Sequence, residues 1–249
     1  MPGAEIALLL AGTVVASFVQ GLSGFAFGMV AMSFWVWGVE PRVAAVMVVF
    51  GGLTGQVVAA LSMRRGLRLA VLLPFLVGGA LGIPLGVLVL PHLNMALFKF
   101  LLGTSLLICC PAMLWAQRLP RVEGGGRIAD GLAGAAGGVM GGIGGFTGVV
   151  PTLWCTLRGF DKDLQRSVIQ NFNLAALSMT LLAYVATGVV TARMLPLFAM
   201  VAPALLIPSL LGARLYTRLS EGGFRRVVLL LLTGSGVVMV VSALPALWH

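Results

Sequence analysis

Charge is scarce in this chain: seven Asp and Glu, sixteen Lys and Arg and two His in 249 residues, or 9% charged against 59% hydrophobic. A soluble domain needs more polar surface than this, and the mean hydropathy of +1.07 excludes water as the main solvent. Cysteine is scarce as well. Cys109, Cys110 and Cys155 are odd in number, form no C-x-x-C pair and lie in apolar runs, which reads as small buried hydrophobes rather than a disulfide framework. The residues ahead of the first apolar run carry no basic side chain, and glycines follow it where a cleavage site would stand, which argues against a removable signal peptide.

What the chain has instead is apolar runs from end to end, with connectors too short to hold a separate soluble domain. Six read as single membrane spans: 43–63, 69–90, 95–116, 167–188, 195–216 and 227–247. Two others, 6–38 and 128–157, would be about 45 to 50 Å long as unbroken helices at 1.5 Å per residue, too long for one crossing. Glycine clusters interrupt both, Gly21-Leu22-Ser23-Gly24 and Gly141-Gly142-Ile143-Gly144-Gly145. In the second, Pro151 suits the first turn of a new helix after an extended Phe146-Thr147-Gly148 stretch. Each long run is therefore read as a hairpin of two half-helices.

Basic residues test that reading, because cytoplasmic connectors collect Lys and Arg. If both long runs turn back, one side gathers Arg64, Arg65, Arg68, Arg118, Arg121, Arg127, Arg158, Lys162, Arg166, Arg214, Arg218, Arg225 and Arg226, leaving Arg42, Lys99 and Arg193 opposite. If both cross once, the division is nearly even. The hairpin topology wins, with both termini outside. The net charge of +9 thus reflects orientation in a bilayer rather than a nucleic-acid-binding face.

The halves also match each other. Gly21, Gly24 and Phe25 fall on Gly142, Gly145 and Phe146 at a shift of 121 residues; Leu73-Pro74 falls on Leu195-Pro196, Arg42 on Arg166, and Gly86 with Phe98-Lys99 on Gly212 with Phe224-Arg225 as the shift drifts to 126. A hairpin plus three spans is an odd number of crossings, so the second copy enters the membrane inverted. The expected fold is an all-α polytopic membrane protein of two inverted repeats, 1–116 and 128–249, joined by a cytoplasmic linker at 117–127. Inverted repeats suit alternating access, since two similar halves can exchange conformations about a central site. Gly78, Gly79, Gly82 and Gly86, spaced by three and four, allow close helix contact, as static packing or a sliding seam.

The paired turns Gly21-Leu22-Ser23-Gly24-Phe25 and Gly142-Ile143-Gly144-Gly145-Phe146, with Pro151, Arg158-Gly159 and the segment Asp161 to Arg166, resemble the sulfite exporter TauE/SafE-type permeases across nearly the whole chain. The resemblance implies a bacterial cytoplasmic (inner) membrane protein that carries sulfite, organosulfonates or related organic anions. It implies no cofactor, and it leaves room for a coupled proton or other ion and for a homodimer.

Breaks between half-helices expose backbone N–H groups at helix N-termini, which carry partial positive charge. Two such breaks would form an anion cradle from Ser23, Gly24, Phe25, Gly144, Gly145 and Thr147. Gln170, Asn171, Asn173, Ser178 and Thr180 punctuate the span after the second hairpin, and Thr54 and Gln56 match Ser178 and Thr180 in the first half. Amides at membrane depth must face the interior, as substrate contacts or as glue between helices. Arg42 and Arg166 open the spans after the hairpins, where they would draw anions in or anchor the interface. All seven carboxylates lie at or near segment ends, which disfavours a cation or metal as cargo. No nucleophile has a base partner, so an intramembrane enzyme is not expected. An anion channel, or a membrane assembly partner without carrier activity, is the alternative to a secondary transporter.

Overall fold

The computed structural model describes residues 3–23, 26–62, 66, 68–116, 121–122, 124–216 and 221–247. Among these the chain forms ten α-helices: α1 (Gly3–Ser23), α2 (Phe27–Trp35), α3 (Pro41–Ser62), α4 (Leu69–Val89), α5 (Met95–Trp115), α6 (Gly126–Gly144), α7 (Val149–Leu157), α8 (Lys162–Ala186), α9 (Leu195–Tyr216) and α10 (Glu221–Leu247). Seven of them, α1, α3, α4, α5, α8, α9 and α10, are long and apolar enough to cross a membrane. Leu85, Ile108, Leu182 and Leu231 stand more than half exposed. On a soluble protein so many large apolar side chains would be a liability; on a membrane protein they meet lipid. The chain is an integral membrane protein.

Local chemistry explains where helices begin. Asn94 caps α5 by accepting the Leu97 N–H at 2.7 Å. Asp161 caps α8 by accepting the Leu164 N–H at 2.9 Å, so Lys162 to Arg166 form the first turn of that helix and not a connector ahead of it.

Both long apolar runs double back, but neither is made of two half-helices. The first arms, α1 with 21 residues and α6 with 19, are about 30 Å long and near full span length. Only the returning arms, α2 and α7 with nine residues each, are half-helices. The reason lies in what most of the clustered glycines do. Gly141, Gly142 and Gly144 remain helical, and a Cβ on Gly142 would run 2.7 Å from the Val87 backbone nitrogen. They serve close packing, while the chain breaks at Gly145, whose φ of 76° is open to glycine and strained for other residues. The Phe146 to Gly148 stretch is not extended either: the Val149 N–H reaches back to the Phe146 carbonyl at 3.4 Å, closing a turn.

A tryptophan fastens each returning arm to the start of its partner. Trp35 Nε1 donates to the Leu9 carbonyl at 3.1 Å, and Trp154 Nε1 donates to Asp130 Oδ1 at 2.8 Å. An indole N–H in apolar surroundings requires such an acceptor.

Around the hairpins, α4 packs on α6 and α1 on α9, α5 pairs with α10, and α3 touches α8 in the middle. The α4–α6 seam is the closest. Gly78, Gly79, Gly82 and Gly86 face Gly134, Gly138 and Gly142 with their neighbours, so that backbone meets backbone with no side chain between. In α3, Ala44 to Val49 are at most 1% exposed, which makes this stretch the centre of the molecule.

Candidate functional site

The site is built from the break between α6 and α7. At the C-terminal end of α6, Gly145 in the left-handed conformation donates its N–H to the Gly141 carbonyl at 2.7 Å, and Phe146 donates to Met140 at 3.4 Å. Tyr184 of α8, fully buried, donates its hydroxyl to the Gly142 carbonyl at 2.7 Å. The carbonyl-rich end of α6 is thus largely satisfied by the protein itself. The N-terminal end of α7 differs. Its N-cap is Gly148, and no side chain caps its first-turn N–H groups. The start of α2, with Ala26 at its N-cap, has no side-chain cap either.

The start of α2 lies against the turn that precedes α7. A Cβ on Gly28, in the first turn of α2, would stand 3.4 Å from the Gly145 carbonyl oxygen, 3.3 Å from the Phe146 ring and 3.0 Å from Val48 of α3. Glycine at 28 is what lets α2 approach the second break so closely. On the other side of the break, the Thr147 hydroxyl donates to Asn173 Oδ1 at 2.9 Å, with both residues only 2% exposed. The Asn173 amide packs on Gly148, where an added Cβ would lie 2.7 Å from Nδ2 and 2.8 Å from Oδ1. Gln170 is buried one turn earlier on the same face of α8. In α7 the hydroxyl of Thr152 is buried and has no partner among the described residues.

Other residues singled out in the sequence are spent locally. Thr54 donates to the Phe50 carbonyl, Ser178 to Leu174 and Thr180 to Ala176, each one turn back on its own helix. Asn171 donates to the Ser167 carbonyl. Such back-bonding satisfies a hydroxyl or amide in an apolar helix without a tertiary partner, and it takes these donors away from the break. Gln56 is buried in α3, one turn beyond Gly52. Arg42 is exposed and donates to the Pro91 carbonyl at 3.2 Å, in the connector between α4 and α5; Arg166 is half-buried in the first turns of α8. Gly144 is the last helical residue of α6. Gly24, Phe25 and the side chain of Ser23 lie outside the described residues.

Three groups outside the sequence-based selection also shape the site. Gln20 is 5% exposed and donates from Nε2 to the Gly52 carbonyl at 3.0 Å, pinning α1 to α3. Tyr184 caps α6, as above. Asp130, 4% exposed, receives both Trp154 Nε1 and Arg158 Nη1 at 2.8 Å on one oxygen. The signal for Gln20 was a lone polar residue inside an apolar run, whereas Asp130 read as a carboxylate at a segment end; the importance of each depends on partners far away in sequence. The ion pair closes the second hairpin at the end opposite the break.

No curated protein and no solved structure matches this chain. A family model does, that of the sulfite exporter TauE/SafE, over residues 8–239, nearly the whole length. Members of that family are membrane transporters of sulfite and organosulfur anions, not enzymes. With its multiple membrane-spanning helices and a match that takes in both hairpins, this chain belongs to the sulfite exporter TauE/SafE family.

Proposed function

We propose that the protein is a secondary transporter that carries a small anion, sulfite, an organosulfonate or a related organic anion, by alternating access, and that the anion binds where the two hairpin breaks meet. The observation that carries this reading is the contact of the α2 start with the α6–α7 turn through Gly28, Gly145 and Phe146, beside the buried Thr147–Asn173 hydrogen bond. The start of α7 and the start of α2, which packs on the turn ahead of α7, have no side-chain caps, and uncapped helix starts favour negative charge.

The pattern of packing supports two inverted repeats. Exchanging α1 to α5 with α6 to α10 maps the α4–α6 contact onto α9–α1, α3–α9 onto α8–α4, and α5–α7 onto α10–α2, while α3–α8 and α5–α10 map onto themselves. The residues that accept the tryptophans, Leu9 and Asp130, are 121 apart, the same shift that aligns the glycine turns. Two copies of one unit around a shared centre supply the alternative packings that alternating access needs. In this arrangement Gly144, Gly145 and Thr147 line the cradle, with Gln170 and Asn173 beside it, and Arg42 and Arg166 mark its approaches.

Purified protein in liposomes, assayed for flux of labelled sulfite and sulfonates, tests the reading. Saturable flux that falls at least about tenfold in Asn173→Ala, equivalent to one charge-assisted hydrogen bond, is the expected result if the melting temperature stays close to wild type. Full flux in that variant would remove Asn173 and the adjoining break from the binding site.

A further inference from the structure

Polar groups follow one another along the seam between α7 and α8. At the break, Thr147 donates to Asn173 Oδ1 at 2.9 Å and Gly148 packs on the same amide. Further along α7, Gln165 Nε2 donates to the Thr156 hydroxyl at 3.0 Å and to the Thr152 carbonyl at 3.5 Å. The two helices therefore run antiparallel. Gly148 to Thr156 and Gln165 to Asn173 both span eight residues, which puts Thr152 midway along the seam, opposite Ile169. Thr152 and Thr156, four residues apart, share a face of α7, and the Gln165 bond shows that this face is turned to α8. The Thr152 side chain is 2% exposed, and its hydroxyl has no hydrogen-bond partner among the described residues. Ile169 offers it neither donor nor acceptor.

The helix does not force this. Thr13, Thr156 and Thr180 each donate to the carbonyl four residues back, the usual resort of a threonine in an apolar helix. The Gly148 carbonyl stands in the same relation to Thr152 and accepts its N–H at 3.0 Å, yet the Thr152 hydroxyl is not bonded to it. A buried hydroxyl without a partner costs stability, and one held off its own helix is a donor for whatever enters the seam. We infer that the anion's site extends from the break into the α7–α8 seam, where the Thr152 hydroxyl donates to an oxygen of the sulfite or sulfonate group. This rests on the anion-carrier reading and adds a substrate contact to it. Thr152 is four residues from Gly148, about 6 Å along the helix, within reach of a small anion that moves out of the break. From there the seam leads past Thr156 and Gln165 to the end of the hairpin where Arg158 pairs with Asp130.

Two substitutions test it. Thr152→Val keeps the shape and removes the hydroxyl; Thr152→Ser keeps the hydroxyl. Wild type and both variants, in liposomes with verified insertion, are assayed for flux of labelled sulfite and methanesulfonate over a range of concentrations, and their melting temperatures are measured in detergent. The expected result for Thr152→Val is a half-saturating concentration at least about tenfold higher, the loss of one hydrogen bond to a charged group. It should melt at or above wild type, because an unbonded buried hydroxyl has been removed. Thr152→Ser should saturate close to wild type. Unchanged saturation in Thr152→Val would overturn the inference and leave the carrier reading standing. So would a loss in Thr152→Ser as large as in Thr152→Val. A melting temperature several degrees lower in Thr152→Val would overturn it too, since the hydroxyl would then have a permanent partner such as a buried water rather than a substrate. Flux of neither anion by the wild type would overturn the carrier reading and the seam contact together.

Discussion

Replacing glycine by alanine should have opposite effects at two positions of this protein. Gly82 of α4 lies in the seam with α6, where an added Cβ would collide with the Ala135 carbonyl and stand 3.0 Å from the Val139 backbone nitrogen. Gly234 of α10 has nothing within 4 Å of the same atom. In both helices the substitution removes backbone freedom from the unfolded chain and is worth about 0.8 to 1 kcal/mol in favour of alanine. At Gly234 nothing opposes it. At Gly82 the obstacle is backbone of the neighbouring helix, which cannot rotate aside, so α4 and α6 must part along several turns. Overpacking of that kind costs about 1 to 3 kcal/mol and offsets the gain, for a net loss of up to about 2 kcal/mol. In a chain of this size one kcal/mol moves the melting temperature by about 2 to 4 °C. Thermal unfolding in detergent should therefore show Gly234→Ala melting a few degrees above wild type and Gly82→Ala a few degrees below. Adding Gly138→Ala to Gly82→Ala should cost less than the sum, because the first substitution has already opened the seam. A Gly82→Ala protein that melts as high as Gly234→Ala would refute the seam as a rigid backbone contact.

Two further substitutions probe the hairpin. Asp130→Leu leaves the Trp154 N–H unbonded and removes the pair with Arg158, whose side chain is 25% exposed and so contributes at most about 1 kcal/mol; with the charge-assisted indole bond the total loss should be about 2 to 4 kcal/mol. Chemical denaturation measures it, and a change under about 0.5 kcal/mol would mean that the pair does not hold the hairpin closed. Gly145→Ala forces a Cβ into the left-handed region, at about 1 to 2 kcal/mol, and against Val48 Cγ1. Val48→Ala should recover the steric part of that loss and not the backbone part, and complete recovery in the double variant would show that φ at 145 is unimportant.

Much of the architecture was legible in the residues. Apolar runs declare membrane helices because the hydrocarbon thickness sets their length, and nearly every helix outside the hairpins begins or ends within a few residues of its run. The exceptions, α8 and α10, start earlier because charged first turns can be capped or solvated at the membrane edge. That the two overlong runs double back was readable from length, glycine and the side on which arginines gather. Which glycine breaks the helix was not. Gly141, Gly142 and Gly145 look alike in sequence, yet Gly142 stays helical against α4, Gly141 stays helical against Thr147, and Gly145 turns the chain.

Sequence by itself determined the solvent, the helices and the doubling back, because these follow from hydrophobic length and local backbone preference, which neighbouring residues decide among themselves. Tertiary structure alone decided the site. Asn173, Ser178 and Thr54 were equal candidates as polar residues in apolar helices, but only Asn173 meets a partner across the break, in Thr147, while the others bond back to their own helices. Asp130 looked like a terminal carboxylate until Trp154 and Arg158 were brought to it. Whether a polar group serves its own helix or another element depends on what packs opposite, and that is set by chain contacts too distant in sequence for local preference to encode.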